Sequence, residues 1–450
     1  MYLSRAIDEV LLRWERSGDR KPLVLRGARQ TGKSSSVREL GRRFDLFLEL
    51  NLERFTDQRL VRSCGSVEDL LTALKAHRNL RRFPERTLLF LDEIQEEPKA
   101  ISWLRFLYED HPDLYVIAAG SLMEVRLQER GFSFPVGRVT FRTLRPFTFL
   151  ESLKATGRSV MVDSLVESLQ ERRPAPGPLH DEALGRLRDY LLVGGMPEAV
   201  SRWLETGSVA AARQVQADLV QALAEDVQKY KGVRDVGYLE AAFDNLKNHY
   251  GLRFRYESFA PGYRSQLMKT ALAKLEAALL VTRVWPTSSL HAPLATRSRS
   301  APKLLPLDVG LALHTMGTGY ELLRSQSVDR LLDGRVAEIF AGQQLLAASV
   351  PAHEPLHFWV TESSTGNAEV DYLLLTPWGP LPVEVKAGAA GSLKSLHRFL
   401  SLGGHGLGIR LSAAPFADEA LRVRMPKGML HYRLLSVPLY LAESVPALRP

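Results

Sequence analysis

The sequence predicts an α/β fold built on a parallel sheet, with a second α/β region towards its carboxyl end. Three stretches carry the prediction. Leu23-Val24-Leu25 is a short apolar run followed by a glycine-containing bend and a helix-forming segment. Thr87 to Leu91 is an apolar run that ends in Asp92 and Glu93. Ala368 to Leu375 and Leu381 to Lys386 read as two adjacent strands. A strand that leads through a bend into a helix needs parallel neighbours, because the helix crosses back over the sheet before the next strand starts.

The whole chain sets bounds on these elements. At 450 residues it is too long for one ordinary core, and two to four domains are expected. Its residues are 45% hydrophobic and 24% charged, and no apolar run approaches the roughly 18 residues that a membrane span needs. Met1-Tyr2-Leu3-Ser4-Arg5 lacks the apolar core of a signal peptide, and the one cysteine, Cys64, excludes an intrachain disulfide framework, so a cytoplasmic location with no membrane partner is expected. The formal net charge of +8 comes mainly from arginine, which supplies 45 of the 59 basic residues; it permits nucleic-acid binding without requiring it.

In chain order, Ser4 to Arg16 has apolar residues near helical spacing and reads as a leader helix. The bend that follows the first strand is G-x-x-x-x-G-K-S, formed by Gly27, Ala28, Arg29, Gln30, Thr31, Gly32, Lys33 and Ser34. Its glycines let successive backbone N–H groups converge at the start of the next helix, which makes a cradle for a triphosphate. Lys33 is placed to reach the outer phosphates and Ser34 to ligate the Mg²⁺ that bridges them. Phe44 to Leu52 reads as a second strand, and a polar helical region follows through about Phe83.

Thr87 to Ile94 brings two carboxylates to a strand end. A buried parallel strand delivers its last residues to the carboxyl edge of the sheet, so Asp92 is expected to hold Mg²⁺ through water and Glu93 to orient and deprotonate the attacking water. Leu114 to Ser121 is another buried strand that ends at the same edge. There Ser121 either senses the γ-phosphate and positions the water or caps a helix. In Val136-Gly137-Arg138-Val139-Thr140-Phe141, Arg138 is either an arginine finger, for its own or a neighbouring subunit, or a surface arginine on an edge strand.

Gly27 to Ser34, the Asp92-Glu93-Ile94-Gln95 strand end, Gly120-Ser121, Gly137-Arg138 and Leu144-Arg145-Pro146-Phe147-Thr148-Phe149-Leu150-Glu151 resemble those of an AAA-type ATPase. The chain is similar to the widespread bacterial and archaeal group that joins this core to a C-terminal domain of unknown function, and the resemblance covers nearly its whole length. It implies ATP and Mg²⁺ as ligands and ATP hydrolysis as the activity.

Glu151 to Leu187 reads as irregular, with Arg172-Arg173-Pro174-Ala175-Pro176-Gly177-Pro178 as an insertion or linker. Amphipathic helices dominate Asp181 to Gly232 and suggest a lid. They are interrupted at Gly194-Gly195-Met196-Pro197-Glu198, a tight turn rather than a second phosphate site because no strand precedes it. Two helical stretches, Tyr238 to Tyr250 and Ser265 to Leu280, then Val281 to Trp285 and a basic loop, follow the order of a winged helix-turn-helix. Arg264, Lys269, Lys274, Arg283, Arg297 and Arg299 could meet phosphates there, and a protein-binding or interdomain module on the same helices is an equal alternative.

The last region begins near Asp329. Glu384 and Lys386, two apart on a strand, point the same way; Asp371 on the neighbouring antiparallel strand approaches them, and Glu338 on the preceding helix is a further carboxylate. With Asp371 and Glu384 holding a magnesium ion and Lys386 helping to activate a water, that water would attack a phosphodiester. This pattern resembles the restriction-endonuclease-like superfamily; without that resemblance it reads as a solvated ladder of ion pairs. His357, His397, His405 and His431 match no zinc spacing.

The expected organisation is therefore an ATPase core over residues 1–160, a helical lid over 180–232, a winged-helix-like module over 233–310 and a restriction-endonuclease-like α/β domain over 325–450. The expected function is Mg²⁺-dependent ATP hydrolysis coupled to nucleic-acid binding or processing, in a possible homo-oligomer with DNA as a possible partner. The alternative is a nucleotide-dependent switch whose C-terminal domain binds DNA, protein or another subunit without cutting.

Overall fold

The computed structural model describes residues 2–121, 134–135, 137–228, 236–318, 334–348, 355–361, 367–386, 392–426 and 428–449. Val136, the 232/233 boundary and Asp329 lie outside the described residues. The chain divides into two compact units. The first takes residues up to Pro146 together with Ala273–Leu280; the second takes Phe147 onwards up to residue 228, then 236–272 and Val281 to the end.

In the first unit the apolar runs become the strands of one sheet: Leu23–Arg26 (β1), Leu46–Asn51 (β2), Thr87–Asp92 (β3), Tyr115–Gly120 (β4) and Thr140–Thr143 (β5). Their order is β2-β3-β4-β1-β5, and every pairing is parallel. Helices Ala6–Glu15 (α1), Lys33–Gly41 (α2), Phe55–Ser63 (α3), Val67–His77 (α4) and Pro98–Glu109 (α5) accompany it. Alternate residues of a strand face opposite sides, and the two cores follow that rule. Val24, Leu89, Leu91 and Ala118 pack with α4 and α5 residues such as Leu70 and Leu104. Leu23, Leu25, Leu88 and Phe90 pack with Leu11, Trp14 and Val37 from α1 and α2. Each buried Val, Leu or Phe among them contributes about 1.5–3 kcal/mol by leaving water. β3, central in that burial, is buried along its whole length.

The second unit opens with helices. Residues 151–187, expected to be irregular, are largely helical, in Phe149–Ala155, Ser159–Gln170 and Gly177–Val193. The proline-rich stretch starts a helix rather than breaking one: Pro178 sits in the first turn, where its missing N–H costs nothing. The Gly194-Gly195 turn leads into Pro197–Thr206, and Val209–Gln228 follows.

Eight strands then form the order β12-β13-β11-β10-β9-β8-β6-β7. They are Val281–Thr287 (β6), Lys303–Pro306 (β7), His357–Thr361 (β8), Ala368–Thr376 (β9), Gly379–Val385 (β10), Leu407–Ser412 (β11), Ala417–Met425 (β12) and Gly428–Pro438 (β13). Val281 to Trp285, read as part of a winged helix, lies in β6, which pairs antiparallel with β7. The pair is not a free-standing wing, because β6 also pairs with β8 in parallel and so belongs to the C-terminal sheet. Among the described residues no helix is long and apolar enough to cross a membrane.

Candidate functional site

The parallel arrangement brings the ends of β1, β4 and β3 to one edge of the first sheet. Arg26 pairs with Gly120 and Leu91 with Ala118, so the segments that follow β1, β3 and β4 all leave from the carboxyl side. Residues 27–32 join β1 to α2 there. Gln30 and Gly32 adopt left-handed backbone, with φ of 62° and 95°. The path at Gly27 is close: a Cβ there would stand 2.5 Å from the Leu144 carbonyl oxygen and 2.9 Å from Thr31 Oγ1. A side chain at this position would displace backbone, so the bend requires glycine.

The polar groups converge on the bend. Ser34 Oγ donates to Asp92 Oδ2 at 2.7 Å, which ties the start of α2 to the tip of β3. These two hard oxygen donors fit a magnesium ion. Lys33, only 5% exposed, donates from Nζ to the carbonyls of Gly27 (3.0 Å) and Ala28 (2.8 Å). Burial pulls its ammonium down to about 8, against the opposing pull of the Glu93 and Asp92 charges. Burial pushes the Asp92 carboxyl up, while the Ser34 hydrogen bond opposes the rise.

Glu93 has a φ of 50°, an uncommon conformation for a residue with a side chain. Its carboxylate accepts from Gln95 Nε2 at 2.5 Å and from the buried Ser121 Oγ at 3.5 Å. Ser121, Asp92, Glu93, Lys33 and Ser34 are thus brought to one edge by three strands.

Arg138 is not among them. It precedes β5, whose Thr140 pairs with Leu23 at the start of β1, so it lies at the amino edge, opposite the bend. There its Nε donates to Glu109 Oε1 at 2.6 Å. Two residues that sequence reasoning did not single out serve the site. Buried Arg5 donates to the Thr31 carbonyl (3.2 Å) and the Arg145 carbonyl (2.8 Å), bracing the bend from the leader helix. Gln95 holds Glu93. An arginine immediately before an apolar helix is a weak signal for Arg5; Gln95, two residues beyond Glu93, could have been inferred.

In the second unit the expected carboxylates also converge. β9 and β10 are antiparallel, and Asp371 Oδ2 accepts from the Val385 N–H at 2.8 Å. Lys386 Nζ donates to Glu384 Oε1 at 2.7 Å, and Glu384 Oε2 is buried without a partner. Glu384 is itself buried, so the ladder is not a solvated one. Glu338 joins the group through a residue the sequence reading missed. Buried Lys303, at the start of β7, places Nζ 3.1 Å from Glu338 Oε2, 2.8 Å from Glu369 Oε1 and 3.7 Å from Asp371 Oδ1. Burial pushes the Glu338 and Glu384 carboxyls up, with Lys303 opposing at Glu338 and the Asp371 charge adding at Glu384. A lone lysine opening the apolar run Leu304-Leu305 was the available signal for it.

The histidines have protein partners or solvent: His357 meets Thr296 Oγ1, His397 meets Tyr432 Oη, His405 meets the Leu290 carbonyl, and His431 is exposed. Among the described residues no group of three or more His, Cys, Asp or Glu is placed to hold a metal ion.

Three family models match the chain in succession: an AAA domain over residues 19–153, a domain of unknown function (DUF8612) over 184–321 and another domain of unknown function (DUF4143) over 333–421. Residues 19–153 accordingly carry an AAA-type ATPase domain, a fold that binds and hydrolyses ATP. No curated protein matches the chain. Among solved structures, the Walker-type ATPase PABY2304 of Pyrococcus abyssi is 15% identical, with 70% of this chain and 96% of that chain covered and a TM-score of 0.43. The Aeropyrum pernix ORC1 protein in complex with DNA is 15% identical, with 72% and 92% covered and a TM-score of 0.23. Drosophila ORC bound to DNA is 15% identical, with 69% and 93% covered and a TM-score of 0.26. At TM-scores below 0.5 these likenesses add nothing to the architecture described above.

Proposed function

We propose that the chain is a Mg²⁺-dependent ATPase whose first unit hydrolyses ATP and whose second unit couples that hydrolysis to nucleic acid. The hydrogen bond from Ser34 to Asp92 carries the reading, because it joins the phosphate-binding bend to the acidic strand tip with both oxygens available to one cation. In this reading the backbone of Gly27 to Gly32 wraps the phosphates, Lys33 swings from the Gly27 and Ala28 carbonyls onto the outer phosphates, and Ser34 and Asp92 hold the metal. Magnesium, when bound, neutralises the charge that builds on the outer phosphates. Glu93 takes the proton from the attacking water, and Ser121 orients that water or reads the γ-phosphate.

Arg138, at the far edge from its own bend, serves as a finger only in a neighbouring subunit, so that role implies a homo-oligomer. The domain boundaries expected from the sequence, 1–160, 180–232, 233–310 and 325–450, belong to the same proposal, as does a cytoplasmic location. The nucleic-acid part is supported by the net charge of +8 and by a groove of about 800 Å³ in the second unit, lined by Arg172, Arg422, His431 and Arg433 with Asp418 as its acid.

The test is Glu93→Gln. This variant is expected to bind ATP at parental affinity and to lose turnover by a factor of at least about 100, as removal of a general base does. Parental turnover would remove Glu93 from the mechanism, and loss of binding would assign it a structural role. A second reading is favoured by one observation. Lys303 stands among the carboxylates of the second unit, which supports a nucleotide-dependent switch that binds its partner without cutting it.

A further inference from the structure

We propose that Lys303 is the resident cation of the carboxylate centre and excludes the divalent metal that phosphodiester cutting would need, a role that rests on the non-cleaving reading above. Lys303 opens β7, an edge strand of the eight-stranded sheet, and its side chain is 5% exposed. An ammonium that has lost its water needs acceptors for three N–H groups. Glu369 and Glu338 supply two at 2.8 and 3.1 Å, and Asp371 stands 3.7 Å away. The three carboxylates come from β9 and from the helix Gly334–Ala348, so one amino group joins an edge strand, an inner strand and a helix.

A magnesium or manganese ion would have to take the same oxygens, at about 2.0–2.2 Å, with the lysine charge between them. Three of the other oxygens are already engaged. Asp371 Oδ2 holds the Val385 N–H, Glu384 Oε1 holds Lys386, and Glu369 Oε2 holds Arg253 at 3.4 Å. Glu384 Oε2 is buried and unpartnered, but its carboxylate already holds Lys386 and Lys303 stands beside the neighbouring Asp371, so a further cation there would meet two like charges. Four carboxylates, Glu338, Glu369, Asp371 and Glu384, therefore face Lys303, Lys386 and Arg253, a near balance of charge reached without metal.

The test counts Mn²⁺ bound by the full-length chain without nucleotide, from the electron paramagnetic resonance signal of the free ion. In the parent, bound Mn²⁺ is expected to be the same with and without Asp371→Asn. Lys303→Met is expected to gain about one Mn²⁺ equivalent, which the Lys303→Met/Asp371→Asn double variant loses. Mn²⁺ binding by the parent that disappears in Asp371→Asn overturns the proposal, as does a folded Lys303→Met chain that gains none. Should Lys303→Met fail to fold, the parent and Asp371→Asn pair decides alone. ATP turnover, measured on the same preparations, reports on the first unit separately: its absence refutes the ATPase reading and leaves the metal count standing.

Discussion

Lys33, the lysine proposed to reach the outer phosphates, shows how burial tunes a charge. Its ammonium is held at about 8 because the bend keeps water away, so at pH 7 it is charged and at pH 9 largely neutral. Bound phosphates restore a partner charge and raise it again. Above pH 8 ATP binding must therefore take up a proton, whereas below it the lysine is already charged. With Glu93→Gln to prevent turnover, ATP affinity is expected to be flat from pH 6.5 to 7.5 and to weaken up to about tenfold per unit above pH 8. The nucleotide adds no titration of its own there, since a terminal phosphate ionises near pH 6. Lys33→Arg, charged throughout, is expected to bind more weakly with a flat profile. An equally flat parental profile through pH 9.5 would show that the burial of Lys33 does not govern binding.

At the level of elements, the Gly194-Gly195 turn is read in full only beside Asp308. Asp308 caps the helix Val309–Thr315 by accepting from the Leu311 N–H at 2.9 Å, and it also accepts from the Gly195 N–H at 2.6 Å. A Cβ at Gly194 would meet the Asp308 carboxylate, and one at Gly195 would meet the Phe147 carbonyl. The two glycines serve close packing, in agreement with their reading as a turn. Burial pushes the Asp308 carboxyl up to about 6, its backbone hydrogen bonds opposing. The folded chain thus holds this proton more tightly than the unfolded chain, whose value lies near 4. The stabilisation is complete below about pH 4 and is lost as pH rises through 6, a change of about 3 kcal/mol. Asp308→Asn is expected to remove that slope while losing about 1–3 kcal/mol at pH 7, because its amide NH₂ would face a backbone N–H. Thermal melts of both proteins at pH 4.5 and 7 check this; identical slopes would exclude Asp308. Such pairings set the limit of what sequence discloses. Gly27 to Ser34 and Asp92-Glu93 are legible because their chemistry is local and the strand periodicity fixes the edge they reach. Lys303 with Glu369 and Asp308 with Gly195 are not, since each joins segments far apart in the chain. Residues 151–187 misled for another reason: prolines that begin a helix look like prolines that prevent one.

For the whole molecule, ATP turnover matters only if the two units affect each other's equilibria. An AAA domain without an effect on its partner would release its energy as heat, and a basic groove indifferent to nucleotide would be a constant anchor. Coupling is a free energy shared between two sites, so ATP must change nucleic-acid affinity by the factor with which nucleic acid changes ATP affinity. With Glu93→Gln, duplex DNA affinity is expected to differ about 5- to 150-fold between ATP-bound and nucleotide-free protein, the range typical of coupled sites. The surface proposed to meet DNA is tested in the same assay. Arg422 and Arg424 are both exposed on β12, the edge strand of the sheet, and Arg422 lines the groove. Reversing both to glutamate is expected to weaken DNA binding and to lower the slope of log affinity against log salt by about 2, one for each phosphate that is no longer neutralised. ATP turnover without DNA is expected to stay unchanged, because neither arginine belongs to the nucleotide site. Equal DNA affinity with and without ATP would sink the coupling, and an unchanged salt slope would move the DNA-binding surface away from this edge.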